Sequence, residues 1–219
     1  MGTQQGSLRA LAPYRERSFV PKNARLTDKD ELQGLYRSLL DRAIGSAADL
    51  EAWLLDLSEI DAAVAQAASI LYIEMTCQTD DPAKAKAYQD FVEHVEPVLK
   101  PLHDALNRKY LQLRETIPLD EQRYLVHDRA VRTAVEMFVE KNIPLQTELA
   151  LLSQEYQTVC GAMTVAFDGK ERTLPEMARF LLEPDRPLRE RAWRATAERR
   201  LRDKEKLEEL FQKMLALRH

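Results

Sequence analysis

Histidine is the side chain best suited to hold a metal or move a proton at neutral pH. The chain contains 4 of them, His94, His103, His127 and His219. A helical zinc hydrolase site requires His-Glu-x-x-His. Two imidazoles one helical turn apart converge on one ion, and the intervening Glu activates the bound water. No pair of histidines here has that spacing. A di-iron bundle requires Glu-x-x-His twice, but Phe91, Lys100 and Tyr124 stand three residues before His94, His103 and His127.

The weaker constellations read better as structure than as chemistry. Asp90 and His94, at i and i+4 with Glu93 and Glu96 nearby, could touch a cation together. Solvated or salt-bridged side chains on an outer helix face account for the same spacing. His127-Asp128 resembles half of a base-and-orienter pair, but adjacent helical residues do not face each other. There is no Gly-x-Ser-x-Gly elbow and no glycine-rich phosphate loop. Cys77 and Cys160 lack a Cys-x-x-Cys partner or a neighbouring His, which predicts two separate buried thiols in a reducing compartment. The expectation is therefore no catalytic, cofactor-binding or metal-ligating residue in this chain.

Composition narrows the function classes further. The chain has 219 residues, of which 45% are hydrophobic, enough for one large core or two modest ones. Its 32 Lys and Arg face 36 Asp and Glu, a net charge of −4, which argues against an electrostatic nucleic-acid binder. The segment from Asp185 to Lys204 is locally basic through Arg186, Arg189, Arg191, Arg194, Arg199, Arg200, Arg202 and Lys204. Asp185, Glu190, Glu198 and Asp203 interleave with them, as on a solvated face. No apolar run approaches the roughly 18 residues that span a bilayer. No apolar segment of a secretory signal precedes Tyr14-Arg15-Glu16-Arg17, and Gly6 stands where a myristoylation signal places Ser or Thr. The expectation is a cytoplasmic protein without nucleic-acid or membrane partners.

Only 6 glycines occur, and the apolar pattern is helical nearly throughout. Residues 1–29 mix Pro13, Pro21 and scattered charges without a period, which suggests an extended lead-in. Leu50, Trp53, Leu54, Leu57, Ile60, Val64, Ala67, Ala68 and Leu71 form one stripe of a long amphipathic helix, capped by Ser46 with Asp49 three residues on. Asp81-Pro82 opens a second helix carrying Phe91, Val92, Val95, Leu99, Leu106 and Tyr110, with a bend expected near Pro97. A more polar helix is predicted from Glu121 to about Asn142, with Leu125, Val131, Val135, Met137 and Phe138 as its apolar side. Asn142-Ile143-Pro144 opens another helix, which stops at a glycine cap, Gly161.

The period then changes from helical to two. Alternation over 162–167 runs into Asp168-Gly169, a strong hairpin signal, and Thr173-Leu174-Pro175-Glu176 is a capping box. Helices follow from Asp185 to about Arg202 and from Asp203 onward, the last carrying Leu207, Leu210, Phe211, Met214 and Leu215. This last stripe is still in full period at Leu217-Arg218-His219, as expected of a fragment. The fold class expected is mainly α, a multi-helix bundle of long antiparallel helices with one small β-hairpin near residues 162–173.

One ordered series of motifs resembles a known family. It comprises Gly161-Ala162-Met163-Thr164-Val165, Phe167-Asp168-Gly169, Thr173-Leu174-Pro175, Asp185-Arg186-x-Leu188-Arg189-Glu190-x-Ala192-Trp193 and Leu210-Phe211-x-x-Met214-Leu215-x-Leu217-Arg218. Together these resemble the oligoendopeptidase F branch of the thimet-oligopeptidase-like zinc metallopeptidases. Trp53-Leu54, Thr76-Cys77-Gln78-Thr79-Asp80 and Phe91 to Pro101 fit more loosely, so the likeness spans most of residues 45–219. It implies an almost wholly helical fold whose two halves enclose a cleft where short peptides are cut. It also implies zinc as cofactor of the full-length enzyme, held by a His-Glu-x-x-His downstream of the motif ending Leu217-Arg218.

The implied layout is a lead-in at 1–29, an N-terminal helical domain at 30–182 including the hairpin, and the first helices of a truncated catalytic domain at 183–219. No family catalytic residue maps onto any position here. The implied role is a cleft wall, inactive by itself, with oligopeptide substrate and a catalytic domain in cis or in trans as partners. A non-catalytic peptide- or protein-binding module, or one half of a split peptidase, is the alternative.

Overall fold

A computed structural model describes residues 16–218; the first half of the expected extended lead-in, residues 1–15, and His219 lie outside the described residues. The architecture is a helical bundle with one two-stranded antiparallel sheet. In order it comprises α1 (Lys29–Asp41), α2 (Ala47–Cys77), α3 (Pro82–His94), α4 (Glu96–Thr116), α5 (Glu121–Met137), α6 (Ile143–Gly161), β1 (Thr164–Phe167), β2 (Lys170–Thr173), α7 (Leu174–Met177), α8 (Arg186–Arg202) and α9 (Lys204–Ala216).

The helix starts are set by local chemistry. Asp28, Ser46, Asp81, Asp120 and Thr173 each cap a helix by accepting amide hydrogens of the first turn. At Thr173 the box is closed in both directions, since Glu176 accepts from the Thr173 amide at 2.7 Å. Helix α1 was not expected from the long apolar stripes, although Leu32, Tyr36 and Leu39 form a short helical stripe of their own that is fully buried.

The described part of the lead-in docks. Glu59 of α2 accepts the amides of Ser18, Phe19 and Val20 at 2.7–2.9 Å, laying this segment along the helix and burying Val20. Burial alone would raise the Glu59 pKa, but the three amides and the Ser18 hydroxyl outweigh it and hold the carboxyl below its ordinary range.

The main core unites α1, α2, α3 and α4 with Tyr124 and Val131 of α5, around Trp53, Tyr36, Tyr110, Leu50, Ile60 and Leu106. Its large side chains carry polar handles, and each handle is satisfied. The Trp53 indole donates to the Leu39 carbonyl at 2.9 Å, and the Tyr36 hydroxyl donates to Asp61 at 2.8 Å. The Tyr110 hydroxyl donates to Asp128. Lys109 closes α1 by donating to the carbonyls of Leu39, Leu40 and Arg42 at 3.0, 2.7 and 2.6 Å, a cation on a helix C-terminus.

A second, smaller cluster joins Val165 and Phe167 of β1 to Met177 and Phe180, and to Ala192 of α8. The hairpin turns at Asp168 (φ 49°) and Gly169 (φ 73°), two successive left-handed residues as an Asp-Gly turn supplies. Thr164 pairs with Thr173, and Phe167 with Lys170.

The bend expected near Pro97 is present, and four other expectations need correction. The bend falls at Val95 (φ −99°, ψ −58°), which separates α3 from α4, two residues before Pro97. A proline ring clashes with the carbonyl four residues back and offers it no donor, so the break precedes the proline. Helix α5 ends at Met137, and an extended Phe138-Val139 leads into a 3₁₀ turn at Glu140–Asn142.

The apolar side of α5 is largely open: Val131 is buried, but Leu125 and Met137 are exposed, because within the bundle only α4 packs closely along this helix. Gly161 is the last helical residue of α6 and not a left-handed cap. A side chain there would meet Thr79 at 2.7 Å, so glycine permits a close approach between α6 and the turn after α2. The thiols are not buried: Cys77, the last residue of α2, is exposed and Cys160 is half-buried.

Candidate functional site: the α8–α9 groove and the Asp61 cavity

The structure disperses His94, His103 and His127. Asp90, Glu93 and His94 offer ligand atoms within 4.8 Å of one another at the end of α3. Lys86 already pairs with Asp90 at 2.9 Å, and His94 is exposed. The arrangement is a surface ion pair with a neighbouring imidazole. His127 and Asp128 diverge. The His127 ring sits against the edge of Tyr110, and Asp128 serves Tyr110 and Arg114, the latter through bonds of 2.9 and 3.3 Å. The Arg114 hydrogen bond holds the Asp128 carboxyl below its ordinary range. Asp128 is thus a structural anchor between α4 and α5.

His103 lies elsewhere, in a pairing that sequence spacing could not reveal. Its Nε2 is 3.5 Å from Asp61 Oδ1, and its ring lies 4.8 Å from that of Tyr36. The same Asp61 oxygen accepts the Tyr36 hydroxyl. These three residues come from α4, α2 and α1 and stand on the wall of a cavity of about 420 Å³, whose apolar lining is Val64, Ala65, Ala68, Phe91 and Leu99. Burial raises the pKa of Asp61, against the lowering effect of His103 and the Tyr36 hydrogen bond.

The cationic stretch of α8 is largely committed within the fold. Arg189 donates to the carbonyls of Glu183 and Pro184 at 2.7 and 2.8 Å, Arg194 pairs with Glu190 at 2.9 Å, and Arg199 pairs with Asp203. Beside these pairs lies an apolar groove of about 600 Å³ between α8 and α9, lined by Trp193, Leu201, Leu207 and Phe211 with Arg200, Lys204 and Glu208 at its edge. Trp193 is 60% exposed, Leu201 65% and Phe211 59%. Large apolar side chains clustered at such exposure are uncommon on a free protein surface. The stripe through Leu207, Leu210 and Phe211 is legible in sequence, and α6 covers only its Leu210 side.

Among known families, residues 19–124 match the peptidase M3 N-terminal domain. This chain carries a peptidase M3 N-terminal domain. That M3 domain takes in the lead-in from Phe19, helices α1 to α4 and the first turn of α5, which is the region of the main core. A solved X-ray structure named as a putative oligoendopeptidase F superposes with a TM-score of 0.75 at 24% identity, over 93% of this chain. The likeness in fold therefore extends well past the M3 domain into the hairpin and the last helices. This chain spans 36% of the length of that solved chain. No curated protein matches the sequence. Among the described residues no helix is long and apolar enough to cross a membrane.

Proposed function

We propose that this chain is the N-terminal helical portion of a zinc-dependent oligopeptidase, that it forms a wall of the peptide-binding cleft, and that it is inactive by itself. The observation that carries the reading is the α8–α9 groove, joined by close packing to a chain with an M3 N-terminal domain. A groove with Trp193, Leu201 and Phe211 open to water suits a catalytic portion docking there in cis or in trans. The likeness to 36% of a longer oligoendopeptidase F chain supports the same reading.

The described residues do not fit the catalytic zinc. Their one cluster of candidate ligands, Asp90, Glu93 and His94, holds a single imidazole on an open helix end, with Asp90 already paired to Lys86. A hydrolytic zinc site needs three protein ligands and a protected open position. Zinc chemistry therefore belongs to the partner portion, and no step is assigned to this chain's residues. A cytoplasmic setting belongs to the same proposal and is supported by two thiols that stay unbridged, one of them exposed.

Hydrolysis of internally quenched oligopeptides tests the proposal. The chain alone with zinc is expected to show no cleavage. Addition of a separately produced catalytic portion of an oligoendopeptidase F is expected to give chelator-sensitive cleavage that Trp193→Asp in this chain suppresses. Chelator-sensitive cleavage by the 219-residue chain alone would overturn the reading. Oligopeptide binding with no complementation would favour the binding-module alternative.

A further inference from the structure

The cavity beside Asp61 has the composition of a binding site for one end of a peptide. Its lining comes from both sides of the bend at Val95, with Phe91 before it and Leu99 after it, and from Val64 and Ala68 of α2. The polar part is concentrated at Asp61. One of its oxygens, Oδ1, is fixed by the Tyr36 hydroxyl at 2.8 Å and by His103 Nε2 at 3.5 Å. The other, Oδ2, has no hydrogen-bond partner among the described residues, and the side chain is 42% exposed. Tyr36 is fully buried, so the carboxylate is held from behind by a rigid group while its free oxygen stays accessible. Glu96 and Lys100 face each other across 3.9 Å at the same cavity and largely offset one another in charge. Beyond that offset pair, Asp61 is the carboxylate of the lining.

A carboxylate with a free oxygen next to an apolar cavity recognises a cation attached directly to an apolar group. The amino-terminal residue of a peptide has that form, since its ammonium and its side chain leave the same carbon. A lysine side chain does not, because its ammonium ends a flexible stem. We propose that this cavity binds the amino-terminal residue of an oligopeptide, with the ammonium on Asp61 Oδ2 and a large apolar first side chain between Val64, Phe91 and Leu99. Tyr36 and His103 act as positioning residues for the carboxylate. The inference deepens the peptidase reading by giving the cleft wall a substrate class. It rests on that reading for its biological use alone, because binding is measured without hydrolysis.

The test is titration of the whole chain, followed by NMR or calorimetry, with Phe-Gly-Gly-amide, its N-acetylated form and Gly-Gly-Gly-amide. The free phenylalanyl peptide is expected to bind saturably in the millimolar range or tighter, and more tightly than the glycyl one. Acetylation and Asp61→Asn are each expected to weaken binding about five- to tenfold, the loss of one charge-assisted hydrogen bond. The amide oxygen introduced by Asp61→Asn would still accept from Tyr36, so the fold is retained. Ala65→Trp, on an exposed position lining the cavity, is expected to abolish binding by filling it. Equal binding of the acetylated peptide, unchanged binding in either variant, or no saturable binding at all would overturn the proposal. Failure here with successful complementation by a catalytic portion would leave the peptidase reading standing and remove only the terminal pocket.

Discussion

The two tryptophans of this chain sit in opposite situations. Trp53 is fully buried in the α1–α4 core with its indole hydrogen on the Leu39 carbonyl, whereas Trp193 is 60% exposed on the α8–α9 groove. The difference extends to their surroundings. Trp53, Tyr36 and Tyr110 close a core in which their own polar atoms are paired internally. Around Trp193, the nearest apolar cluster consists of Val165, Phe167, Met177, Phe180 and Ala192, and Leu201 and Phe211 remain in water. A core that satisfies itself is a folding unit. An apolar face that does not is the kind of surface the proposed docking of a catalytic portion would cover.

The comparison can be broken most directly at Trp53. Trp53→Ala is expected to cost about 3–5 kcal/mol, a lost ring plus a cavity, read as a fall in the denaturant midpoint. Retention of the wild-type midpoint would mean that the first region is not the stability-determining core. Asp128→Ala is expected to cost about 2–4 kcal/mol, because it strands the half-buried Arg114 guanidinium and the Tyr110 hydroxyl.

The same residue sets a pH dependence. Its carboxyl is held below the ordinary range by Arg114, so its contribution is complete above the unfolded-state pKa and is lost as pH falls through the folded one. Acid titration of stability should therefore decline more shallowly in Asp128→Asn than in the parent. Asp61 acts in the opposite sense. Its carboxyl is raised by burial, so its ionised form costs stability at neutral pH and the cost is relieved on acidification below its folded pKa.

Smaller effects sharpen the boundary between the regions. Gly161→Ala is expected to cost about 1–3 kcal/mol, because the added methyl would lie 2.7 Å from Thr79 and force the end of α6 away from the turn after α2. A neutral result in thermal unfolding would show that Thr79 moves aside freely. Trp193→Ala is expected to change stability by about 0.5 kcal/mol or less, as for an exposed side chain with few partners. A large destabilisation there would mean that the groove is internally packed, and the contrast with Trp53 would collapse.

Local signals carried over into the structure with little loss. The caps at Ser46, Asp81 and Thr173, and the hairpin turn at Asp168-Gly169, depend on side chains within three or four residues of the backbone they serve. The candidate sites were less legible. His103 and Asp61 are 42 positions apart, and nothing in their neighbours announces the pairing. Leu125 is a regular member of the α5 stripe, but helical periodicity identifies a face without saying whether anything lies against it. The same limit explains why Cys77 is exposed: a thiol's burial depends on where its helix ends relative to its neighbours.

By itself the sequence determined that this chain is helical, where most helices begin, that one hairpin interrupts them, and that no catalytic zinc spacing is present. The structural items among these follow from hydrogen-bonding and steric preferences acting over a few residues, and the last from residue identity alone. Tertiary structure alone decided which apolar faces meet. It set Asp61 between Tyr36 and His103, and left Trp193, Leu201 and Phe211 in water. The hydrophobic effect is non-directional, so a periodic stripe specifies that a surface should be buried, and only the packed chain settles which one is.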